Sequence, residues 1–302
     1  MLFLATQKGY VALEHLLENG LVSNIGCVIT FPEKNVTKDW EPLIKEKCLQ
    51  YQISWYTWKE AKFKLQDILT ENNINAAVSI SWRHMLPMEL NNFLTYPLII
   101  FHDSLLPKYR GFALTPTAIM AGEEEIGVTA FFAVEEVDAG DIISQAKIKI
   151  SQEMYIKDII AEQTKIYASM LEKIIYDMKA QSLKAAPQND NAATYSIWRN
   201  EADCLIDWTK SAKSIFNFVR ALGEPYPNAF TYCDGKKIYI LKVKIIADKN
   251  FILRDCGKIW SIKDNQPEII CGAGMLRILE ARDAEGEIFL FKKLRCRLGI
   301  NF

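Results

Sequence analysis

Hydrophobic and polar positions follow two rhythms along the first half of the chain. Short unbroken apolar runs at Leu2–Ala5, Ile25–Thr30, Ile53–Tyr56, Ala76–Ser81 and Leu98–Phe101 predict buried strands. Between them apolar side chains return every three or four residues. Tyr10, Leu13, Leu16 and Leu17 do so after Gly9, and Trp40–Cys48 and Glu60–Leu69 repeat the pattern, predicting helices. Strands separated by helices build βαβ units, so this part is expected to be α/β: a Rossmann-like, mostly parallel sheet flanked by helices. Gly127–Val134 and Ile142–Ile150 predict two further strands joined by EEVDAGD, and Ile156–Met178 predicts a long amphipathic helix.

The rhythm then stops. Pro187–Thr194 is polar, without periodicity, and is expected to be a linker. Beyond it one helix is predicted at Ala212–Leu222, followed by strand-like runs at Ala229–Cys233, Lys237–Val243, Lys258–Ile262, Glu268–Cys271, Leu276–Ala281 and Ile288–Phe291. Short strands with glycine turns suggest a small OB-like β-barrel. The expected domains are therefore 1–190 and 195–302. Trp208 is expected to anchor the packing between them.

Composition adds little to this until it is divided. The net charge of −1 hides 18 Lys and Arg against 13 Asp and Glu from Tyr195 to Phe302, a balance of +5. A mildly basic C-terminal part suits a phosphate-bearing ligand, though it lies within ordinary variation. Seven cysteines, never in a CxxC pair, argue against a zinc site and a disulfide scaffold and for a reducing compartment. MLFLATQKGY turns polar too soon for a signal peptide, and no apolar run approaches spanning length, so a cytoplasmic protein without a membrane partner is expected.

In an open parallel sheet, ligands bind beyond the carboxyl ends of the strands. Three predicted strand exits there carry ionisable groups: Arg83 and His84, His102, and Asp138. A histidine moves protons near neutral pH, and a neighbouring carboxylate fixes its tautomer. That pairing suits transfer or hydrolysis at a carbonyl. No GxGxxG, GxxxxGK[ST] or GxSxG motif occurs, which disfavours NAD enzymes, P-loop NTPases and serine hydrolases.

HDSLLPKYRG, with the Asp of VDAGD 36 positions after its His, resembles the folate-dependent formyltransferases, a family that includes methionyl-tRNA and sugar-nucleotide members. SWRHMLP resembles the loop that holds the pterin. ATYSIWRNEADCLIDW, EPYPNAF and IICGAGMLRILEA resemble the C-terminal domain of the larger members. The resemblance implies 10-formyltetrahydrofolate as formyl donor, no metal, and an amine that attacks the formyl carbon. His102 matches the catalytic His and Asp138 the Asp that supports it. Arg83, His84 and Met85 fall in the pterin loop, and Glu135, Glu136 and Val137 in the opposite wall. Ser104, Lys108, Tyr109 and Arg110 are expected on the acceptor side, Ser104 as a hydrogen-bonding turn residue and Arg110 against a diphosphate.

One position departs from the family, whose pattern is N-x-H: Ile100 stands two residues before His102. Losing an oxyanion donor costs roughly 10²–10³ in rate. The donor is expected from Asp103 if protonated, the Ser104 hydroxyl, a backbone N–H or water; or His102 serves alone as imidazolium; or the chain is a weakened, binding relative. The expected acceptor is a nucleotide-linked amino sugar of cell-surface polysaccharide biosynthesis, with methionyl-tRNA as the alternative. FPEKNVTKDW is a thin basic surface for tRNA, and KKLRCR (Lys292–Arg297) is the best sign in its favour. A homodimer is an open possibility.

Overall fold

The structure is a computed structural model that describes residues 1–34 and 37–299. Asn35 and Val36 of FPEKNVTKDW, together with residues 300–302, lie outside the described residues. The first part is laid down as β1 (Leu2–Leu4), α1 (Thr6–Glu18), β2 (Cys27–Thr30), α2 (Glu41–Gln50), β3 (Ser54–Thr57), α3 (Trp58–Ala61), α4 (Leu65–Glu71), β4 (Val78–Ile80) and β5 (Ile99–His102). The short β6 (Arg110–Gly111) follows, then α5 (Leu114–Ala121), β7 (Glu125–Phe132), β8 (Ile142–Lys149), α6 (Ile156–Lys179) and β9 (Tyr195–Ser196).

Seven strands form one sheet in the order β3-β2-β1-β4-β5-β7-β8. The first five are parallel, and β7 and β8 run antiparallel to their neighbours. Strand alternation sorts the side chains between two cores. Leu2, Leu4, Val28, Val78, Ile80, Ile99 and Phe101 face one core, which α1, α2 and α6 cover with Leu13, Leu16, Ile44, Tyr167 and Leu171. Phe3, Cys27, Ile29, Leu98 and Ile100 face the other, covered by Ala61, Leu65, Ile68 and Leu90. Both faces are buried, as the unbroken apolar runs require.

Three expectations change here. Glu60–Leu69 forms two helices, α3 and α4, instead of one amphipathic stretch, and α3 opens on a capping box between Thr57 and Glu60. Helix α5 was not foreseen. Its eight residues, LTPTAIMA, carry no charge and so give no polar face to read. Residues 187–194 are no free linker: Thr194 Oγ1 accepts from Tyr109 N at 2.9 Å, its carbonyl accepts from Arg110 N at 2.8 Å, and β9 pairs in parallel with β6.

The second part carries α7 (Ala212–Ala221) and a five-stranded antiparallel sheet. Its strands are β10 (Phe230–Cys233), β11 (Lys236–Ile246), β12 (Ile259–Lys263), β13 (Gln266–Ile270) and β14 (Met275–Arg282), ordered β10-β11-β14-β13-β12. Ile288–Phe291, expected as a strand, makes only an isolated bridge from Ile288 to Arg282. Trp208 is buried in this part's own core and donates to Thr231 Oγ1 at 3.0 Å, so it is not an interdomain anchor.

The contacts divide the chain into two units, and the division is not a single cut. The first holds Met1–Leu114, Glu125–Lys149 and Ile160–Ser196; the second holds Thr115–Glu124, Ile150–Ile159 and Ile197–Phe302. Within the second, buried Arg220 on α7 donates to the carbonyls of Ser151 and Met154 at 2.9 and 3.1 Å. No helix among the described residues is long and apolar enough to cross a membrane.

Candidate functional site

β5 ends on His102, the last residue of the strand rather than the first beyond it. Alternation puts the His102 side chain on the face of Ile100 and sends Asp103 to the face of Phe101. The turn that follows is braced from the neighbouring strands. Thr129 Oγ1 on β7 donates to the Ser104 carbonyl (2.7 Å) and accepts from Leu106 N (3.2 Å), and Gln145 on β8 donates to the Leu106 carbonyl (2.8 Å).

His102 is buried, with a partner at each ring nitrogen. Nδ1 lies 2.9 Å from Ser104 Oγ, and the Ser104 hydroxyl donates to the Lys108 carbonyl at 2.7 Å. With the hydroxyl proton so used, Oγ accepts, and Nδ1 carries the proton. Nε2 lies 3.1 Å from Asp138 Oδ2. That approach is an ion-pair contact off the ring N–H direction, and it leaves Nε2 buried without an aligned hydrogen bond. Nε2 is thus the ring nitrogen without an aligned hydrogen bond.

Asp138 is held from three sides. Its own backbone sits in the left-handed region at φ 55°, which is costly for a residue with a side chain. Gly111 N donates to its Oδ2 at 2.8 Å, and Gln188 Nε2 donates to its carbonyl at 2.8 Å and to the Gly140 carbonyl at 2.7 Å. Glycine is required at two of these places. A Cβ on Gly111, at φ 109°, would lie 2.4 Å from the Ser196 carbonyl oxygen, and one on Gly140 would lie 1.7 Å from that of Phe132. Burial pushes the Asp138 carboxyl up. The close contact with His102, the Gly111 N–H and the Arg110 guanidinium outweigh it and hold Asp138 below the ordinary carboxylate range.

Arg110 is a correction. It is buried, donates from Nε and Nη2 to Gln188 Oε1 (3.3 and 2.9 Å) and from Nη2 to Asp190 (2.6 Å), and has Nη1 3.6 Å from Glu136. It clamps the Asp138 loop to residues 188–190 and is not presented to a diphosphate. Ser104 is the hydrogen-bonding turn residue expected, but it is buried against His102, where it positions the ring, and is not on an acceptor side. Asp103 is corrected as an oxyanion donor. Burial pushes its carboxyl up, but Lys8 Nζ at 2.6 Å and Tyr167 Oη at 2.7 Å more than reverse this, so it is ionised and faces away from Ile100.

The remaining candidates lie in loops. Lys108 is exposed, Tyr109 half-buried, and Glu135, Glu136 and Val137 exposed. Arg83 pairs with Glu33 at 3.1 Å. The His84 ring joins an aromatic cluster, stacked on Trp58 at 5.8 Å and edge-on to Phe31 at 4.6 Å, while Met85 is exposed. The loops after β4 and β7 are tied together: Asn91 Nδ2 donates to the Ala133 carbonyl at 3.5 Å, and Asn91 Oδ1 accepts from Leu98 N. The sequence reading missed Gln188, which lies in the supposed linker, and Lys8, which lies in a helix with no signature.

Nε2 of His102, left without an aligned hydrogen bond at the carboxyl end of β5, fits a group that would meet the reduced folate the sequence implies. Comparison with known proteins agrees. The model of the formyl transferase family matches residues 5–173, and that of the formyl transferase C-terminal domain matches residues 199–294. The chain is 33% identical over 219 residues to a methionyl-tRNA formyltransferase of Fusobacterium nucleatum, covering 72% of this chain and 69% of that protein. Among solved structures it is similar to WlaRD, a sugar 3N-formyl transferase crystallised with dTDP and 5-N-formyl-THF (TM-score 0.66, 21% identity, 92% and 95% of the two chains). It is also similar to an N-formyltransferase of Helicobacter canadensis in complex with folinic acid and dTDP-3-aminofucose (TM-score 0.65, 20% identity, 92% and 97%). At these identities the structures share the fold.

Proposed function

The chain belongs to the formyl transferase family, and on that premise we propose that this formyltransferase moves a formyl group from 10-formyltetrahydrofolate to the amine of a nucleotide-linked amino sugar. The observation that carries the chemistry is the contact between His102 Nε2 and Asp138 at 3.1 Å. When bound, the folate supplies the activated formyl carbon. His102 gives and takes a proton at Nε2, Ser104 fixes the Nδ1–H, and Asp138 steadies the charged ring. The pterin is held by the loops around Arg83–Met85 and Glu135–Val137, while Lys108 and Tyr109 serve the acceptor.

A small acceptor is supported over tRNA by the pairing of eight of the basic groups in the second unit. Binding a polyanion depends on cations free to neutralise phosphates. Lys237, Lys242, Arg254, Lys258, Lys263, Arg277, Arg282 and Lys293 each already have a carboxylate partner. Lys293, the second lysine of KKLRCR, lies 3.0 Å from Asp234. Incubation with 10-formyltetrahydrofolate and a panel of amino-sugar nucleotides is expected to give a product about 28 Da heavier by mass spectrometry, the mass of one formyl group replacing hydrogen. Product only with methionyl-tRNA refutes the acceptor. Folate binding with no product from any acceptor favours a binding relative.

That second reading rests on Ile100. It is half-buried on the His102 face against the core that holds Leu86 and Leu90, and its own side chain has no donor. Ile100→Asn is expected to raise turnover, up to the roughly 10²–10³ that one oxyanion donor is worth. Steady-state kinetics checks this; a folded variant with lost activity means that a different group stabilises the oxyanion.

A further inference from the structure

Seven cysteines scattered through the sequence gave no pairing signal, yet the fold brings two together across 63 positions. Cys233 Sγ and Cys296 Sγ lie 2.8 Å apart, both buried in the second unit. Cys233 closes β10, where Asp234 (φ 49°) and Gly235 (φ 73°) make the tight turn into β11. Cys296 belongs to the C-terminal segment, which three backbone bonds hold, two at the start of β12 and one on β10. Ile259 N donates to the Cys296 carbonyl (3.2 Å), Leu298 N to that of Gly257 (2.8 Å) and Gly299 N to that of Tyr232 (3.0 Å).

Two chemistries suit such a pair. Asp234 Oδ1, 3.8 Å from Cys296 Sγ, offers a third ligand for a soft metal. A tetrahedral zinc with Zn–S bonds of about 2.3 Å would hold its two sulfurs roughly 3.8 Å apart, however, and these are far closer. Asp234 is also engaged by Lys293 at 3.0 Å, and a cation there opposes a second one. Burial, with Cys296 and Asp234 beside it, pushes the Cys233 thiol up to about 12, so a metal would have to displace a tightly held proton.

We propose that Cys233 and Cys296 are a redox-modification site: a peroxide joins them in a reversible disulfide that fastens the C-terminal segment to the β10–β11 turn. One sulfur attacks a peroxide oxygen to give a sulfenic acid and water. The partner sulfur then attacks the sulfenic sulfur and expels a second water. Two S–H bonds are lost, one S–S bond forms, and one hydrogen peroxide leaves as two waters. The high thiol pKa makes the first step slow, so closeness of the partner rather than thiolate character drives the reaction. The proposal is independent of the acceptor and of formyl transfer.

The test treats the intact chain with hydrogen peroxide. The expected result is an intact mass about 2 Da lower and a tryptic peptide pair joined at 233 and 296, both reversed by dithiothreitol. The melting temperature should rise by roughly 5–10 °C, as for a cross-link closing a long loop. Cys233→Ser and Cys296→Ser should each abolish both changes, and Cys256→Ser should keep them. Sulfinic acids on separate cysteines, a cross-link elsewhere, or stoichiometric zinc uptake lost in the same two variants with no cross-link overturns the proposal. Should a serine variant fail to fold, differential alkylation of the unaltered chain decides. Joint protection of 233 and 296 after peroxide supports the pair, and independent labelling refutes it.

Discussion

His102→Ala is expected to lower formyl transfer by about 10²–10⁴, the usual worth of a positioned proton-transfer group. Circular dichroism, melting temperature and folate binding should stay near those of the parent. The effect is large because nothing near the ring can replace it. Asp138 is ionised and only accepts; the Ser104 proton is committed to the Lys108 carbonyl; Ile100 has no polar atom. The fold should survive, because His102 is the terminal residue of its strand and its backbone pairing with Thr129 does not depend on the ring. Asp138→Asn should fall between the two, since it keeps an acceptor near Nε2 but loses the charge. Single-turnover kinetics separates the chemical step from binding. Near-native turnover in His102→Ala would falsify the proposed mechanism.

Lys8→Met is expected to destabilise the protein by about 3 kcal/mol, toward the lower end for breaking a buried ion pair because Asp103 keeps some contact with solvent. Lys8 Nζ meets Asp103 at 2.6 Å and Gln163 Oε1 at 3.2 Å beneath the end of β5. Removing the ammonium takes away the strongest opposition to burial and leaves chiefly the Tyr167 hydroxyl and the charge of His102 against it. The sign of the pH effect follows. In the parent the folded carboxyl is depressed, so its stabilisation is complete above the unfolded value near ~4 and is lost as pH falls through the folded one. In the variant the folded carboxyl is raised, so the penalty is greatest at neutral pH and vanishes in acid. The gap between the two urea-unfolding curves should therefore be widest near pH 7 and narrow toward pH 4. Lys8→Met with Asp103→Asn should recover most of the loss, because the amide oxygen still accepts from Tyr167 without a charge. A deficit that does not change with pH, or no rescue, refutes the account.

The elements legible in the sequence were those whose burial imposes a period. The runs at Leu2–Ala5, Ile25–Thr30 and Leu98–Phe101 became β1, β2 and β5, because strands covered on both faces need unbroken apolar residues. Ile156–Met178 became α6 within a residue, its stripe of Ile159, Leu171 and Ile174 being buried. Helix α5 and the paired segment after Pro187 were illegible for opposite reasons. The one has no polar face, and the other is held by hydrogen bonds from Gln188, Asp190 and Thr194 rather than by apolar burial. The pairing of His102 with Asp138 was readable only from two predicted strand exits and the family resemblance. That Arg110 would turn inward to Gln188 and Asp190 was not, because a basic residue after a strand looks the same whether it meets a ligand or a neighbouring loop. The Cys233–Cys296 contact depends on a hairpin and a tail that no local pattern relates.

The stretches Thr115–Glu124 and Ile150–Ile159 are encoded within the span of the first unit yet belong to the C-terminal unit. A gene truncated at the polar stretch around 190 would therefore strand Arg220, whose carbonyl acceptors at Ser151 and Met154 lie upstream of the cut. Chimeras that graft a relative's C-terminal half onto this chain should express as soluble protein only when both upstream inserts travel with it. The architecture discourages recombination at the one place where the polypeptide looks divisible.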